Sequence, residues 1–317
     1  MASSTDLLHS SAAHHRTGSR TLMPTITTSD GVDIHYQQFG ARANPTVLLI
    51  HGLTCQIVHW PQPLIDRLTK AGYRVVVFDN RDAGLSSKLE HLETGTVEQI
   101  MSGGRAMTAP YNLGDMARDA VAVLDYLGQS GAHLVGLSMG GMIAQRMAID
   151  YPQRVFSLTS IMSSTSDPDL PGADRATFDA FVSTPPADRT GAIAHLTAGW
   201  RALGGPHFDS AAVGLARQSA TAYDRGYSPS GTARQLLAIL TAAPRGDALK
   251  ALDLPALVLH GTADPLVPLA AGERTAECLK NAHLQVFEDM GHDLPDPLLS
   301  DIAEAIVRHL DRAPVQR

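Results

Sequence analysis

The stretch His133-Leu134-Val135-Gly136-Leu137-Ser138-Met139-Gly140-Gly141-Met142-Ile143-Ala144 decides the fold. His133 to Leu137 is a short, mostly apolar run with the character of a buried strand. Met139 to Asp150 carries Ala144, Met147 and Ala148 at helical spacing. Between them, Gly136-Leu137-Ser138-Met139-Gly140 matches G-x-S-x-G, a strained strand-to-helix turn that lifts a serine hydroxyl off the end of a strand. Small glycines let the backbone pack closely around such a turn. The string alone is common; its setting, strand before and helix after, gives it weight.

Working outward, the same alternation recurs. Upstream lie a strand at Thr46 to Ile50, a helix at Leu64 to Ala71, a strand at Arg74 to Asp79 and a helical stripe from Leu113 to Leu127. Downstream come a strand at Phe156 to Met162, a helix at Ala233 to Ala242, a strand at Ala256 to His260, a helix at Leu269 to Leu279, a strand at Leu284 to Glu288 and a helix at Leu298 to Leu310. Thr25 to Ser29 and Val32 to Phe39 flank Asp30-Gly31, which predicts an antiparallel hairpin at the start. Helix-connected strands predict an α/β fold: a mostly parallel sheet with right-handed crossovers and helices on both faces. From Ser163 to about Ser230 the rhythm dissolves into Pro-, Gly- and Ala-rich sequence with helical fragments around 177–182, 193–203 and 211–223, which reads as an inserted helical cap. The expected organisation is a flexible tail over 1–23, a core over 24–162 and 233–312, and a cap over 163–232. Asn80 to Asn112 reads as a long loop, bordering a site or merely solvated.

Composition narrows the function. With 317 residues, 44% hydrophobic and 18% charged, the chain can bury one large core, and the cap accounts for its excess length over an ordinary domain. A net charge of -7 without a basic block argues against nucleic acid. No apolar run reaches the roughly 20 residues of a membrane span, and Met1 to Arg20 lacks the apolar segment of a secretory signal. Cys55 and Cys278 are too few for a disulfide framework. The expectation is a cytoplasmic protein without a membrane partner; a homodimer stays open.

A serine hydroxyl needs a base to become a nucleophile, and the base is usually a histidine oriented by a carboxylate. His292, in Met290-Gly291-His292-Asp293 after the last strand, stands at the carboxyl end of the sheet, where open parallel sheets bind ligands. His260, His283 and His309 sit on or beside regular elements and have structural explanations. Asp264, in His260-Gly261-Thr262-Ala263-Asp264-Pro265, is the best-placed carboxylate, ahead of Asp167, Asp289, Asp293 and Asp296. The order Ser138, Asp264, His292 suits the strand-turn-helix nucleophile. Oxyanion donors are expected from the amides of Met139 and Leu53, with Gly52 permitting close approach and His51 bracing the loop. Thr54, Gln56 and Trp60 in that loop, and Trp200 and Tyr223 in the cap, are the candidate pocket residues; Phe178, Phe181, His207 and Tyr227 are further cap candidates.

Taken together, the hairpin start, His51-Gly52, Asp79-Asn80-Arg81-Asp82-Ala83-Gly84-Leu85-Ser86, G-L-S-M-G, H-G-T-A-D and G-M-G-H resemble the α/β-hydrolase superfamily from Thr25 to Leu310. The R-D-x-G-x-S segment and G-L-S-M-G are similar to the aclacinomycin methylesterase group of bacterial esterases. The resemblance implies an eight-stranded sheet and a carboxylesterase working on small, mostly uncharged esters with water, needing neither metal nor organic cofactor. Lactonase, cofactor-free perhydrolase and carbon-carbon bond hydrolase chemistry share that triad. A non-catalytic small-ligand receptor on the same fold is the rival of another class. His51-Gly52-Leu53 departs from the glycine-rich loop expected in the methylesterase group, so polyketide methyl esters are not carried over as substrates.

Overall fold

The apolar runs become the strands of an eight-stranded sheet. The computed structural model describes residues 24–103, 107–208 and 212–313; the tail expected over 1–23 lies outside them. The strands are β1 (Thr25–Thr27), β2 (Asp33–Phe39), β3 (Thr46–Ile50), β4 (Arg74–Phe78), β5 (Ala132–Leu137), β6 (Val155–Ile161), β7 (Pro255–Gly261) and β8 (Asn281–Phe287). They lie in the order β1-β2-β4-β3-β5-β6-β7-β8. β2 runs antiparallel to both β1 and β4, and every other pairing is parallel.

Strand periodicity divides the core into two layers, because successive side chains point to opposite faces. Leu48, Ile50, Val76, Phe78 and Leu134 join Leu113, Met116, Ala120 and Leu124 of α3 (Leu113–Tyr126) and Ile143 and Met147 of α4 (Met139–Asp150) in one cluster. Val47, Leu49, Val75, Val77 and Val135 join Leu64 and Leu68 of α1 (Gln62–Lys70) and Ile302, Ile306 and Leu310 of α11 (Leu299–Arg312) in the other. That is why β3, β4 and β5 read as continuous apolar runs: neither face meets water. Among the described residues, no helix is long and apolar enough to cross a membrane.

The elements that sequence periodicity did not announce are short. α2 (Val97–Gly103) lies within the expected long loop and buries just Val97 and Ile100. Its start is nevertheless signalled, since the amide of Gln99 donates to Thr96 Oγ1 and that of Thr96 to Gln99 Oε1, a capping box. α9 (Gly246–Lys250) is too brief to show a period. α8 (Pro229–Leu240) begins ahead of the expected Ala233 and crosses the anticipated end of the cap: Ser228 Oγ accepts the Gly231 amide and Pro229 sits in the first turn. β8 begins at Asn281 rather than Leu284, because this edge strand alternates with solvent and its first residues are polar or small.

Between β6 and α8 the chain leaves the sheet through α5 (Arg175–Val182), α6 (Arg189–Leu203) and α7 (Ala212–Asp224). After β7 it forms α10 (Leu269–Cys278). The loops after β3, β5, β7 and β8 emerge at the carboxyl edge of the sheet, beneath α5, α6 and α7.

Candidate active site

Ser138 stands between the last residue of β5 and the first of α4, with φ 57° and ψ -123°. A non-glycine residue held there stores about 1–3 kcal/mol of strain, which the surroundings must over-determine. They do so with hydrogen bonds and close packing. The Ser138 amide donates to the Ile161 carbonyl at 2.9 Å, and Ser163 Oγ donates to the Ser138 carbonyl at 2.7 Å. Gly140 packs so tightly under the end of β3 that a Cβ would collide with the Ile50 carbonyl, so the second glycine of the motif is a packing requirement.

His292 Nε2 lies 2.9 Å from Ser138 Oγ, and His292 Nδ1 lies 2.8 Å from Asp264 Oδ2. The other carboxylate oxygen, Oδ1, accepts the amides of Leu266 and Val267 at 2.9 and 2.8 Å, fixing Asp264 as an acceptor. Nδ1 therefore carries the proton shared with Asp264, and Nε2 faces the serine hydroxyl as the acceptor. Asp264 and His292 are both buried. Of the rival carboxylates, Asp167 pairs with Arg274 at 3.1 Å and Asp289 lies 3.8 Å from His207. His260 Nε2 donates to the Val267 carbonyl at 2.8 Å, so it serves the Asp264 turn rather than the serine.

The loop after β3 runs beside the serine. A Cβ on Gly52 would stand 3.1 Å from Ser138 Cβ, tight enough to push on the nucleophile by a few tenths of an ångström, so glycine suits this approach. Neither the Leu53 nor the Met139 amide hydrogen is spent on an acceptor among the described residues. Met139 opens α4, whose first turn holds no acidic residue, so the positive end of the helix faces the serine uncompensated. His51 accepts the Gly52 amide on Nδ1 at 2.8 Å, and burial holds its pKa well below the usual histidine value. It braces the loop as a neutral ring.

Side chains from behind support this loop. Asn80 Nδ2 donates to the His51 carbonyl at 3.0 Å, and Asp79 Oδ1 accepts the Ile57 amide at 2.7 Å. Arg225, just past α7, donates to Gln56 Oε1 at 2.7 Å and to Asp79 Oδ2 at 3.1 Å. Asp82 takes a bidentate contact from Arg234 of α8 at 2.8 and 2.9 Å and a hydrogen bond from Tyr111 at 2.8 Å. Arg81 makes a bidentate pair with Asp119 at 2.7 Å. The Asp79 to Asp82 motif is thus the polar frame behind the loop, a role its sequence pattern did not disclose.

Above Ser138 and His292 opens a cavity of about 780 Å³ with predominantly apolar walls, the size of a drug-like ligand site. Met142 of α4 and Leu236 and Ile239 of α8 line it, and Phe178, Phe181 and Trp200 line the helical roof. Of the candidate pocket residues, Trp200 lines the cavity and Thr54, Gln56, Trp60 and Tyr223 do not. Trp60 is 4% exposed and packs under His51, with ring centroids 4.6 Å apart. Gln56 turns away, donating to the Ala222 carbonyl. Thr54 sits at φ 60° and gives its amide hydrogen to Gln235. On α7 the lining residues Gly214, Leu215, Arg217, Gln218 and Thr221 form a helical face that Tyr223 misses. Among the further cap candidates, His207 and Tyr227 also lie off the cavity wall. His59 was not anticipated; it lines the wall with its ring 5.2 Å from Trp200, and burial brings its pKa down to about 4. The loop from Arg81 to Tyr111 contributes no lining residue among those described.

A model of the alpha/beta hydrolase fold family matches residues 45–296. The chain belongs to this family. Within the alpha/beta hydrolase family, it is 27% identical to the rhodomycin D methylesterase of Streptomyces peucetius, over 92% of this chain and 100% of that protein. It is 26% identical to a bifunctional esterase/perhydrolase of Acinetobacter calcoaceticus, over 86% and 94% of the two chains. Among solved alpha/beta hydrolase structures, an esterase from Rhodococcus sp. ECU1013 superposes with a TM-score of 0.72 at 24% identity, covering 92% of this chain and 99% of that one.

Proposed function

We propose that this alpha/beta hydrolase is a carboxylesterase-type serine hydrolase whose nucleophile is Ser138. The observation that carries this reading is the continuous relay Asp264, His292, Ser138, joined at 2.8 and 2.9 Å on the floor of an apolar cavity. His292 takes the proton from Ser138 as its oxygen attacks the ester carbonyl, then delivers it to the leaving alcohol. Asp264 keeps the imidazole in the working tautomer. The amides of Leu53 and Met139 receive the negative charge that develops on the carbonyl oxygen. Water, activated by the same histidine, releases the acid from the acyl-enzyme.

The cavity walls favour an uncharged, predominantly apolar substrate, and the volume accommodates more than a short acetate ester. In this reading α5, α6 and α7 act as the cap that selects it. Esterase activity in similar proteins supports the reaction class. Both cysteines are free and buried, which suits a reducing compartment and supports a cytoplasmic location.

The decisive experiment is a panel of aryl esters of increasing acyl length, together with lactones and amides, assayed with wild type and Ser138→Ala. Turnover of esters by wild type, with covalent labelling of Ser138 by a fluorophosphonate, is the expected result. Full activity in Ser138→Ala removes the assignment. A wild-type protein that binds esters but neither turns them over nor takes the label is a receptor.

A further inference from the structure

α8 turns an apolar face to the cavity through Leu236, Ile239 and Leu240, yet just ahead of them it buries Gln235 completely. A carboxamide in that position is costly unless both its ends are satisfied. Gln235 Oε1 accepts the Thr54 amide hydrogen at 2.8 Å, and Gln235 Nε2 donates to the Arg81 carbonyl at 2.7 Å. One side chain thus ties α8 to the loop after β3 and to the loop after β4.

The residue it grips is unusual. Thr54 holds φ at 60°, a conformation that a β-branched residue avoids unless it is held there. Its amide nitrogen ends the Leu53–Thr54 peptide, so the grip of Gln235 fixes that plane, and the Leu53 amide lies in the adjoining plane, joined to it through Leu53 Cα. A second contact from the same helix, Thr232 Oγ1 donating to Thr54 Oγ1 at 3.2 Å, holds the side chain as well. We infer that Gln235 is a positioning residue for the oxyanion hole, anchoring the Leu53–Thr54 peptide, with Thr54 in its left-handed conformation, so that the adjoining Leu53 amide hydrogen points at the developing oxyanion. The inference rests on the reading of Leu53 and Ser138 given above. Gln235 touches no reacting atom. Its effect is on the transition state, because the Leu53 amide matters most when the carbonyl oxygen becomes charged.

The test replaces Gln235 by Met, which keeps the length and apolar bulk but loses the grip on Thr54. Complete removal of an oxyanion donor typically costs about 10²–10³ in kcat; misdirecting one should cost roughly 10–100-fold. The expected result is that loss in kcat with KM changed less than about threefold, and a parallel weakening of a trifluoromethyl ketone that mimics the tetrahedral adduct. An unreactive ether isostere of the ester should bind as to wild type. Thr54→Gly in the Gln235→Met background should recover part of the kcat, since glycine adopts positive φ without strain. Should Gln235→Met fail to fold, Gln235→Asn keeps a carboxamide that falls one methylene short of Thr54, and the same pattern is expected. Wild-type kcat in either folded variant overturns the inference, as does a loss carried by KM alone. Activity in Ser138→Ala would instead remove the underlying site assignment, so the two failures are distinguishable.

Discussion

The floor and the roof of the cavity are built on different physical terms. The floor is made of strand ends and tight loops whose every turn is fixed by a short polar bond: Ser138 to Ile161, Asp264 to Leu266 and Val267, Asn80 to His51. The roof is made of helices that face the cavity with Phe178, Phe181 and Trp200 and meet the floor at a few points. Those points include the His292 amide on the Leu203 carbonyl at 2.7 Å, the Asp174 amide on the Pro265 carbonyl at 2.8 Å, and Arg225 on Asp79. Directional bonds suit a chemistry that tolerates little displacement. Apolar contact suits a wall that must accept many shapes.

That contrast can be broken most severely at the floor. Ser138→Ala should lower kcat for any ester by about 10⁴ or more, with the cavity still binding ligand, as stopped-flow or steady-state hydrolysis would register. Asp264→Asn should follow, with a loss of up to about 10⁴ in kcat, since the amide can donate to Nδ1 and favour the wrong imidazole tautomer. At the roof the expectation is milder and of another kind. Trp200→Ala should shift the preference between a bulky and a small acyl group by roughly 10–200-fold in kcat/KM while leaving kcat for the smallest ester near wild type. A large drop in kcat for that small ester would mean that the roof shares in the chemistry.

The smallest expected effect concerns stability. His59, His133 and His309 are held neutral by burial, with pKa brought down to about 4. In the unfolded chain each takes up a proton near pH 6.5, so between roughly pH 6.5 and 4 the unfolded state binds more protons and is favoured as pH falls. Each histidine should then subtract up to about 1.4 kcal/mol per pH unit in that window and nothing more above it. Urea midpoints at pH 7.5 and 5.5 measure this. The histidines are spread across floor and core, so replacing His59 alone by Phe should flatten only part of the slope; an unchanged midpoint between the two pH values would contradict the burial argument.

Legibility in the sequence follows the same division. Strands such as Thr46–Ile50 were readable because two covered faces demand an unbroken apolar run. Ser138, Asp264 and His292 stood out because each follows a strand in a fixed order, and the structure brings the three together. The wall was not readable. Proximity in sequence to the oxyanion loop made Thr54, Gln56 and Trp60 look like pocket residues, but a positive φ and buried partners turn them away from it. Tyr223 missed the cavity by helical geometry: at about 100° per residue, it lies some 200° beyond the Thr221 stripe. The supporting residues Gln235, Arg225 and Arg234 gave no pattern at all, since each acts on a partner more than a hundred residues away in the chain.

The hydrogen bond from the His292 amide to the Leu203 carbonyl, where α6 ends, carries a lesson for anyone reshaping this protein. It makes the last turn of α6, which also carries the cavity-lining Trp200, a neighbour of His292. Libraries aimed at new substrates will therefore find the cavity-facing positions of α5 and α7 permissive so long as the contacts of Asp174 with Pro265 and of Arg225 with Asp79 are kept. Changes at Leu203 itself, which is buried and lies off the cavity wall, will cost turnover without improving the fit, and improved variants should keep it while varying Trp200.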